Sequence, residues 1–417
     1  MIAFYAHSSQ TLINAAVIKQ TYFSEETVDL IIRTNNSNLS HELVREYKNS
    51  GIFRVIYPIP FPFHLRPENG KYGKIPGLRK VTFYWEHNRY NVMILEKTVQ
   101  QQRYDQLFVP SYIGNNIQYV ALYLSKQNPD IQLIFYDEGL TSYTRPISQL
   151  LGHLEVGKRN WKDIIADSIG EEFFLRKIRP KAKPSIYLHI PKRDAVDPWF
   201  QEVHYIPPVV RYPQSLIPLK KMGEHLDQCN VAYYSRRMAV FVSGSYSALS
   251  NRRLQSCEAM EEDIPTFQSM CRMIGTNHCI LKPHPVSKIV IDNLGKNLEQ
   301  EGLYVDRYLY LFETMFLEAD NSEDLILISR YSAALFNVKF WFDMEPYIIY
   351  TYRLYPSYEA NQDYTADRFI QEARQTYRDP SRVMIPNSMA EYEEMLRQTK
   401  FLILNQRCQY RMSEREA

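Results

Sequence analysis

Glycine is scarce, at 14 of 417 residues. None of it builds a GxGxxG turn or a Walker-type loop, so those two phosphate cradles are excluded. Cysteine is sparse as well, at five scattered positions (229, 257, 271, 279 and 408). The count is odd and no CxxC pair occurs, which argues for free thiols in a reducing compartment. No apolar run approaches the ~20 residues of a membrane span. The opening Met1-Ile-Ala-Phe-Tyr5 has no basic segment and no cleavage site, so a cytoplasmic protein is expected. Neither sign of charge is in excess: 49 Lys and Arg face 47 Asp and Glu. A general nucleic-acid binder is therefore excluded. With no HExxH and no Cys/His cluster, no metal site is expected. Asp343-Met-Glu345 looks like a DxD metal motif but reads better as a solvated turn before a strand.

What is present is a normal globular composition, 45% hydrophobic and 23% charged, in a chain too long for one ordinary core. Tyrosine is abundant at 32 residues. It suits sugar surfaces and protein cores equally.

Apolar runs alternate with amphipathic stretches. Strands are expected at 2–6, 28–33, 53–57, 106–109 and 131–136. Helices are expected at 11–20, 39–50 with Ser40 as N-cap, and 116–126. That alternation means a parallel sheet covered by helices. Residues 58–67 are Pro-rich and 71–90 basic, an irregular or helical excursion, and 163–178 reads as a helix. The Pro-rich stretch 206–218 reads as an interdomain connection. A second alternating unit follows, with strands at 238–242, 277–282, 304–305, 325–329 and 346–350. Its helices are expected at 257–274, broken near Ile264-Pro265, at 311–317 and from 333 through 338. The tail 389–410 is amphipathic and helical. Two Rossmann-like domains facing a cleft result. We place an N-terminal acceptor-side domain at 1–215, a linker at 216–237 and a C-terminal nucleotide-sugar domain at 238–385. A final helix at 386–417 is expected to cross back onto the first domain.

Four strand ends carry chemistry: His7-Ser8-Ser9-Gln10, Asp137-Glu138-Gly139, Lys282-Pro-His284-Pro285 and Ser329-Arg-Tyr-Ser332-Ala333. Open α/β sheets do their chemistry at the carboxyl ends of strands. A carboxylate at 137 or 138 can take a proton from a hydroxyl. His284, fixed between two prolines, can assist a phosphate. Ser243, Ser245, Ser329 and Ser332, with backbone N–H groups at helix starts, can hold phosphate oxygens. Together these suit displacement of a nucleotide by a sugar hydroxyl. The bland reading of each alone is a turn, a structural histidine or a helix cap.

The same residues resemble known motifs. Asp137-Glu138-Gly139 is similar to the D/E-D/E-G motif of bacterial sialyltransferases, Lys282-Pro283-His284-Pro285 to their HP motif, and Ser329 to Leu335 to their serine motif. The opening His7-Ser-Ser-Gln10-Thr-Leu-Ile-Asn14-Ala resembles the T-P-L-Q-x-x-x-A start of the lipooligosaccharide and capsule enzymes, glycosyltransferase family 52. The resemblance implies a GT-B fold, CMP-sialic acid as donor, inversion at the anomeric carbon and no metal or other cofactor. It implies Asp137 as base, with Glu138 as substitute or structural partner, and His284 assisting departure of CMP. Ser329, Ser332 and Ala333 would bind phosphate or donor carboxylate. Lys282, Pro285, Ser243, Gly244 and Ser245 would lie on the donor side, with Glu313 as a ribose contact. His7, Ser8, Ser9, Gln10 and Gly139 would face the acceptor, a galactose-type sugar of an oligosaccharide or lipid-linked glycan in capsule or surface-glycan synthesis. His7-Ser8-Ser9 stands where the family opening has Thr-Pro-Leu, so acceptor identity does not transfer. Ser332-Ala333 stands where some members have two serines. The competing readings are another cytidine-nucleotide transferase with an HP loop (a Kdo transferase or a glycerophosphotransferase) and a non-catalytic glycan-binding protein. The tail from Lys400 to Met412 sets several cations beside apolar residues, which suits either an anionic membrane surface or packing on the first domain.

Overall fold

A computed structural model describes residues 1–34, 39–60, 90–99, 102–111, 115–139, 142–143, 184–191, 200–224, 228–243, 256–283, 297–307, 311–319, 322–355 and 364–416. The expected helix at 163–178 and the stretches 61–89, 244–245 and 284–285 lie outside them. The chain divides into two compact units, Met1–Pro218 and Leu219–Ala417.

In the first unit a seven-stranded parallel sheet runs in the order β3-β2-β1-β4-β5-β6-β7. Its strands are β1 (Ile2–Ala6), β2 (Val28–Arg33), β3 (Ile56–Ile59), β4 (Gln106–Pro110), β5 (Gln132–Tyr136), β6 (Ser185–Leu188) and β7 (Glu202–Tyr205). Helices α1 (Ser9–Tyr22), α2 (His41–Ser50) and α3 (Asn115–Gln127) connect them. β1 is buried along its whole length, because parallel strands are covered on both faces. Phe4 of β1 stacks on Phe108 of β4 at 4.3 Å between ring centroids. Ser40 caps α2 by accepting from the Leu43 amide at 3.2 Å, and Gly51 ends the helix in the left-handed conformation. Asp29 interrupts the apolar run of β2 and is fully buried, yet it is satisfied by Arg54 Nε at 2.8 Å and the Tyr104 hydroxyl at 2.7 Å. Strand order reverses between β1 and β4, so a crevice is expected beyond their carboxyl ends.

The second unit holds a six-stranded parallel sheet in the order β10-β9-β8-β11-β12-β13. These are β8 (Ala239–Val242), β9 (Cys279–Lys282), β10 (Tyr304–Val305), β11 (Ile326–Ser329), β12 (Tyr347–Tyr350) and β13 (Val383–Met384). Order reverses between β8 and β11, the strands that lead into Ser243 and Ser332.

Several expectations are corrected. The strand expected at 53–57 starts at Ile56. Residues 213–236, expected as connection and linker, form α4 (Pro213–Glu224) and α5 (Gln228–Arg236), and the boundary between the units falls inside α4. Pro213 sits at the first helical position, where no amide donor is needed. Helix α6 (Ser256–Ile274) runs unbroken through Pro265, because Phe267, Met270, Cys271 and Ile274 anchor it in the core. The second unit also contains α7 (Met315–Glu318), α8 (Ala334–Phe342), α9 (Tyr364–Arg374) and α10 (Met389–Glu416). The described contacts of α10 lie in the second unit. Tyr392, Leu396 and Ile403 join its core, and the Tyr392 hydroxyl donates to the Thr266 carbonyl at 3.2 Å. The turn before β12 is not solvated at Glu345. That side chain is buried and accepts from Lys339 at 2.5 Å and the Arg378 amide at 2.8 Å, which together pull its carboxyl down to about 2 against the effect of burial.

Candidate active site

The carboxyl edge of the first sheet gathers residues from four strand ends. β5 is extended to Tyr136, and its last side chains alternate sides, so Asp137 and Glu138 go different ways. Asp137 points inward and is 1% exposed. Its Oδ1 accepts the Gly139 amide at 2.5 Å and stands 3.5 Å from the Ser142 hydroxyl. Its Oδ2 accepts the Tyr143 hydroxyl and the His189 amide, the latter at 3.3 Å. Burial and the Asp137 charge raise the Tyr143 phenol well above its ordinary value, so it stays a donor. Asp137 thus closes its own turn and ties it to the end of β6.

Glu138 points the other way, with a side chain 15% exposed. Its Oε1 lies 2.8 Å from His7 Nε2, beyond the end of β1. A carboxylate only accepts, so the Nε2 hydrogen of His7 is the donor when Glu138 is ionised. The Glu138 amide donates to Ser142 Oγ at 2.7 Å, and Ser111, which follows β4, donates to the same oxygen at 2.6 Å. Strand order β1-β4-β5 is what brings His7, Ser111 and Glu138 to one edge. Gly139 turns with φ of 94°, and a Cβ there would stand 3.0 Å from Gln10 Nε2. The Gln10 side chain therefore lies beside the acidic turn.

Ser8 and Ser9 are used locally. Ser8 caps α1 by accepting from the Thr11 amide at 3.2 Å, and Ser9 accepts from the Ser40 amide at 3.0 Å. Sequence reasoning missed two residues behind the turn. Asn14 donates to the Asp137 carbonyl at 3.0 Å. His189 is buried, with Nε2 3.0 Å from Asn14 Oδ1 and Nδ1 3.1 Å from the Ile206 carbonyl. Burial lowers the His189 imidazole below its ordinary value, against the pull of Asp137. The signal was present: Ile186-Tyr-Leu188 is an apolar strand running into a histidine, like the four ends that were noticed.

In the second unit the residues of the serine motif stand together. Ser329 Oγ accepts from the Ser332 amide at 3.2 Å, and Ser332 Oγ accepts from the Ala334 amide at 3.3 Å. Each hydroxyl keeps its own hydrogen for donation. Ala333 occupies the N-cap of α8 without a side-chain cap bond. Ser243 is fully buried, its amide bonded to the Lys282 carbonyl at 3.0 Å. Lys282 is also buried, its ammonium 3.1 Å from Asp306 Oδ2. Burial lowers that ammonium, against Asp306 and Glu313. Glu313 is buried beside it and accepts from Asn337 Nδ2 at 2.7 Å, with its carboxyl raised by burial. Both side chains therefore form an internal polar cluster under the strand end. Arg330, not singled out from sequence, is buried with its guanidinium 3.6 Å above the Tyr355 ring and paired to Glu262. Gly244, Ser245, His284 and Pro285 lie outside the described residues. Among the described residues, no three His, Cys, Asp or Glu side chains gather as a metal-binding group.

No protein-family model matches the chain, and no curated protein matches it. Solved structures do. A UDP-glucosyltransferase from Polygonum tinctorium, in complex with 3,4-dichloroaniline and described as capable of glucosylating indoxyl, aligns with a TM-score of 0.50 at 10% identity, over 96% of this chain and 92% of that one. A 2,6-sialyltransferase from a Photobacterium species, in a ternary complex with CMP and lactose, aligns with a TM-score of 0.47 at 9% identity, over 92% and 78% of the two chains. The kitacinnamycin glycotransferase aligns with a TM-score of 0.41 at 11% identity, over 96% and 95%. At these identities the likeness is one of fold, and the fold assignment rests on the first. Two parallel-strand sheets with their helices give the chain the α/β two-domain GT-B fold of glycosyltransferases.

Proposed function

We propose that the protein is a glycosyltransferase that moves sialic acid from CMP-sialic acid to a sugar hydroxyl of a bacterial surface glycan, with inversion and without a metal ion. The observation that carries the proposal is the turn after β5. One acid is held inside by four donors, and the other faces His7 at 2.8 Å on a sheet edge at the topological switch point. Support for the donor comes from the resemblance of the Asp137, His284 and Ser332 motifs to those of sialyltransferases.

The resemblance gives the base role to Asp137. We give it to Glu138, because a base must reach the proton it takes and Asp137 is 1% exposed. In the reaction, Glu138 accepts the proton of the acceptor hydroxyl. The hydroxyl oxygen bonds to the anomeric carbon of the sialic acid as the bond to phosphate breaks. CMP leaves with the electron pair, assisted by His284 and by the hydroxyl of Ser332, while Ser329, fully buried, holds the Ser332 amide in place. His7 keeps the Glu138 carboxylate oriented, and Asp137 keeps the turn in place.

A thermal-shift panel of CMP, CDP, UDP and GDP tests the donor. Selective stabilisation by CMP is expected, about 2.7 kcal/mol at a hundred times its Kd. Stabilisation by UDP alone would move the protein to another donor class, and no response to any cytidine nucleotide would favour a non-catalytic role.

A further inference from the structure

Residues 12–18 of helix α1 are all buried, and Asn14 is the one polar side chain among them. An amide in such a place is costly unless its groups are bonded. Both ends of the Asn14 amide meet partners: Nδ2 donates to the Asp137 carbonyl at 3.0 Å, and Oδ1 faces His189 Nε2 at 3.0 Å. A carbonyl only accepts, which fixes the NH₂ on the Asp137 side, so Oδ1 takes its hydrogen from Nε2. His189 Nδ1 faces the Ile206 carbonyl at 3.1 Å. Burial disfavours the charged ring, so one ring hydrogen stands between two oxygens.

These bonds end on a single peptide, the one that joins the two acids. Its carbonyl is held by Asn14, and its N–H donates to Ser142 Oγ at 2.7 Å. The two groups point to opposite edges of a rigid plane, so bonds at both edges stop its rotation. The set of that plane decides where the Glu138 side chain leaves the backbone, and it leaves toward His7, 2.8 Å away. Gln10, one turn before Asn14 on the same face of α1, lies beside Gly139.

We propose that Asn14 and His189 are positioning residues: a line of hydrogen bonds from His189 through Asn14 to the 137–138 peptide aims Glu138 at the acceptor hydroxyl. The proposal rests on Glu138 as the base. Both residues are buried behind the turn and touch no reacting atom. Asp137 closes the turn through its carboxylate, whereas Asn14 holds the peptide itself. His189 serves both, because its amide donates to Asp137 Oδ2 and its ring to Asn14.

Steady-state kinetics and melting of variants in two backgrounds test this. Asn14→Leu keeps the size and removes both bonds. It should lower kcat about tenfold to a hundredfold and leave KM for CMP-sialic acid unchanged, because a small misplacement of a reacting group costs that much. His189→Leu should fall as far, while His189→Gln still offers an N–H to Asn14 and should keep most of kcat. The two His189 variants carry the same comparison should Asn14→Leu not fold. In a Glu138→Gln background Asn14→Leu should cost no further turnover, because its effect passes through Glu138. A lowered Tm with kcat intact, or a full further loss in the Glu138→Gln background, overturns the proposal. NMR of the chain labelled at its histidine nitrogens reads the bonds without turnover, and His189 should carry its hydrogen on Nε2 at neutral pH. A hydrogen on Nδ1 in an active parent refutes the proposal alone. A parent that releases no CMP from CMP-sialic acid refutes the assigned reaction, and the proposal with it.

Discussion

Exchanging each acid of the turn for its amide should separate structure from chemistry. Asp137→Asn keeps the shape but replaces one accepting oxygen with a donating NH₂. At the Oδ1 side that NH₂ would face the Gly139 amide, and at the Oδ2 side the His189 amide and the Tyr143 hydroxyl. The hydroxyl can rotate to accept, but a backbone N–H cannot. At least one buried donor therefore loses its partner, at about 1–3 kcal/mol, and the bonds to a charged acceptor are weakened as well. The sum is roughly 2–4 kcal/mol, or a fall of about 5–15 °C in Tm for a unit of this size. Glu138→Gln loses none of this. Its side chain is partly exposed and the amide oxygen can still accept from His7. Stability should stay within about 0.5 kcal/mol, whereas turnover should fall about 10²–10⁴-fold if Glu138 is the base. Scanning calorimetry and a CMP-release assay on both variants read the two quantities. The reasoning fails if Asp137→Asn melts like the parent, or if Glu138→Gln turns over normally while Asp137→Asn binds CMP and does not turn over.

His189 has its folded-state pKa lowered by burial, so the unfolded chain takes up its proton first. Stability should then rise with pH in the window below ~6.5, and His189→Gln should remove that slope, read as Tm at pH 5 against pH 7. Gly139→Ala forces a positive φ and a 3.0 Å approach to Gln10, which should cost about 1–3 kcal/mol in a urea melt. Lys282→Met leaves the buried Asp306 carboxylate without its cation and should cost about 3–5 kcal/mol, and adding Asp306→Leu should restore much of that by the same melt.

The sheet edge was legible because its strands are parallel and covered on both faces. Such strands read as unbroken apolar runs, as at Ile2–Ala6 and Ile326–Ser329, and each hands its polar residues to the carboxyl edge. Strand β7 was missed for the opposite reason. β7 is an edge strand, Glu-Val-His-Tyr, with no fully buried position, so it has no apolar signature. Proline misled at 213 and 265, where helix position and core anchoring decide, not the residue type. Glu345 was unreadable in principle, since its partner Arg378 is brought to it only by the pairing of β12 with β13. Lys282 and Glu313 were assigned to a ligand by motif and position. Their burial beside Asp306 and Asn337 depends on long-range packing that spacing does not encode.

The two adjacent acids illustrate what a sheet can and cannot announce. Period-two alternation guarantees that neighbours at a strand end diverge, so one acid must enter the frame if the other is to face outward. Which one enters depends on parity relative to the buried face, and that is fixed by what lies beside the strand. Here β6 offers the His189 amide on one side, and the turn itself offers Tyr143 and Gly139, which together make a nest for a carboxylate at 137. On the other side β1 leads into His7, which can orient an acid without enclosing it. A short aspartate suits the first environment, because its carboxyl reaches its own turn amide two residues on. A longer glutamate suits the second, because it must span the end of β4 to meet His7. Acid length and strand order therefore point to the same division of labour, with the framing acid at 137 and the reaching acid at 138.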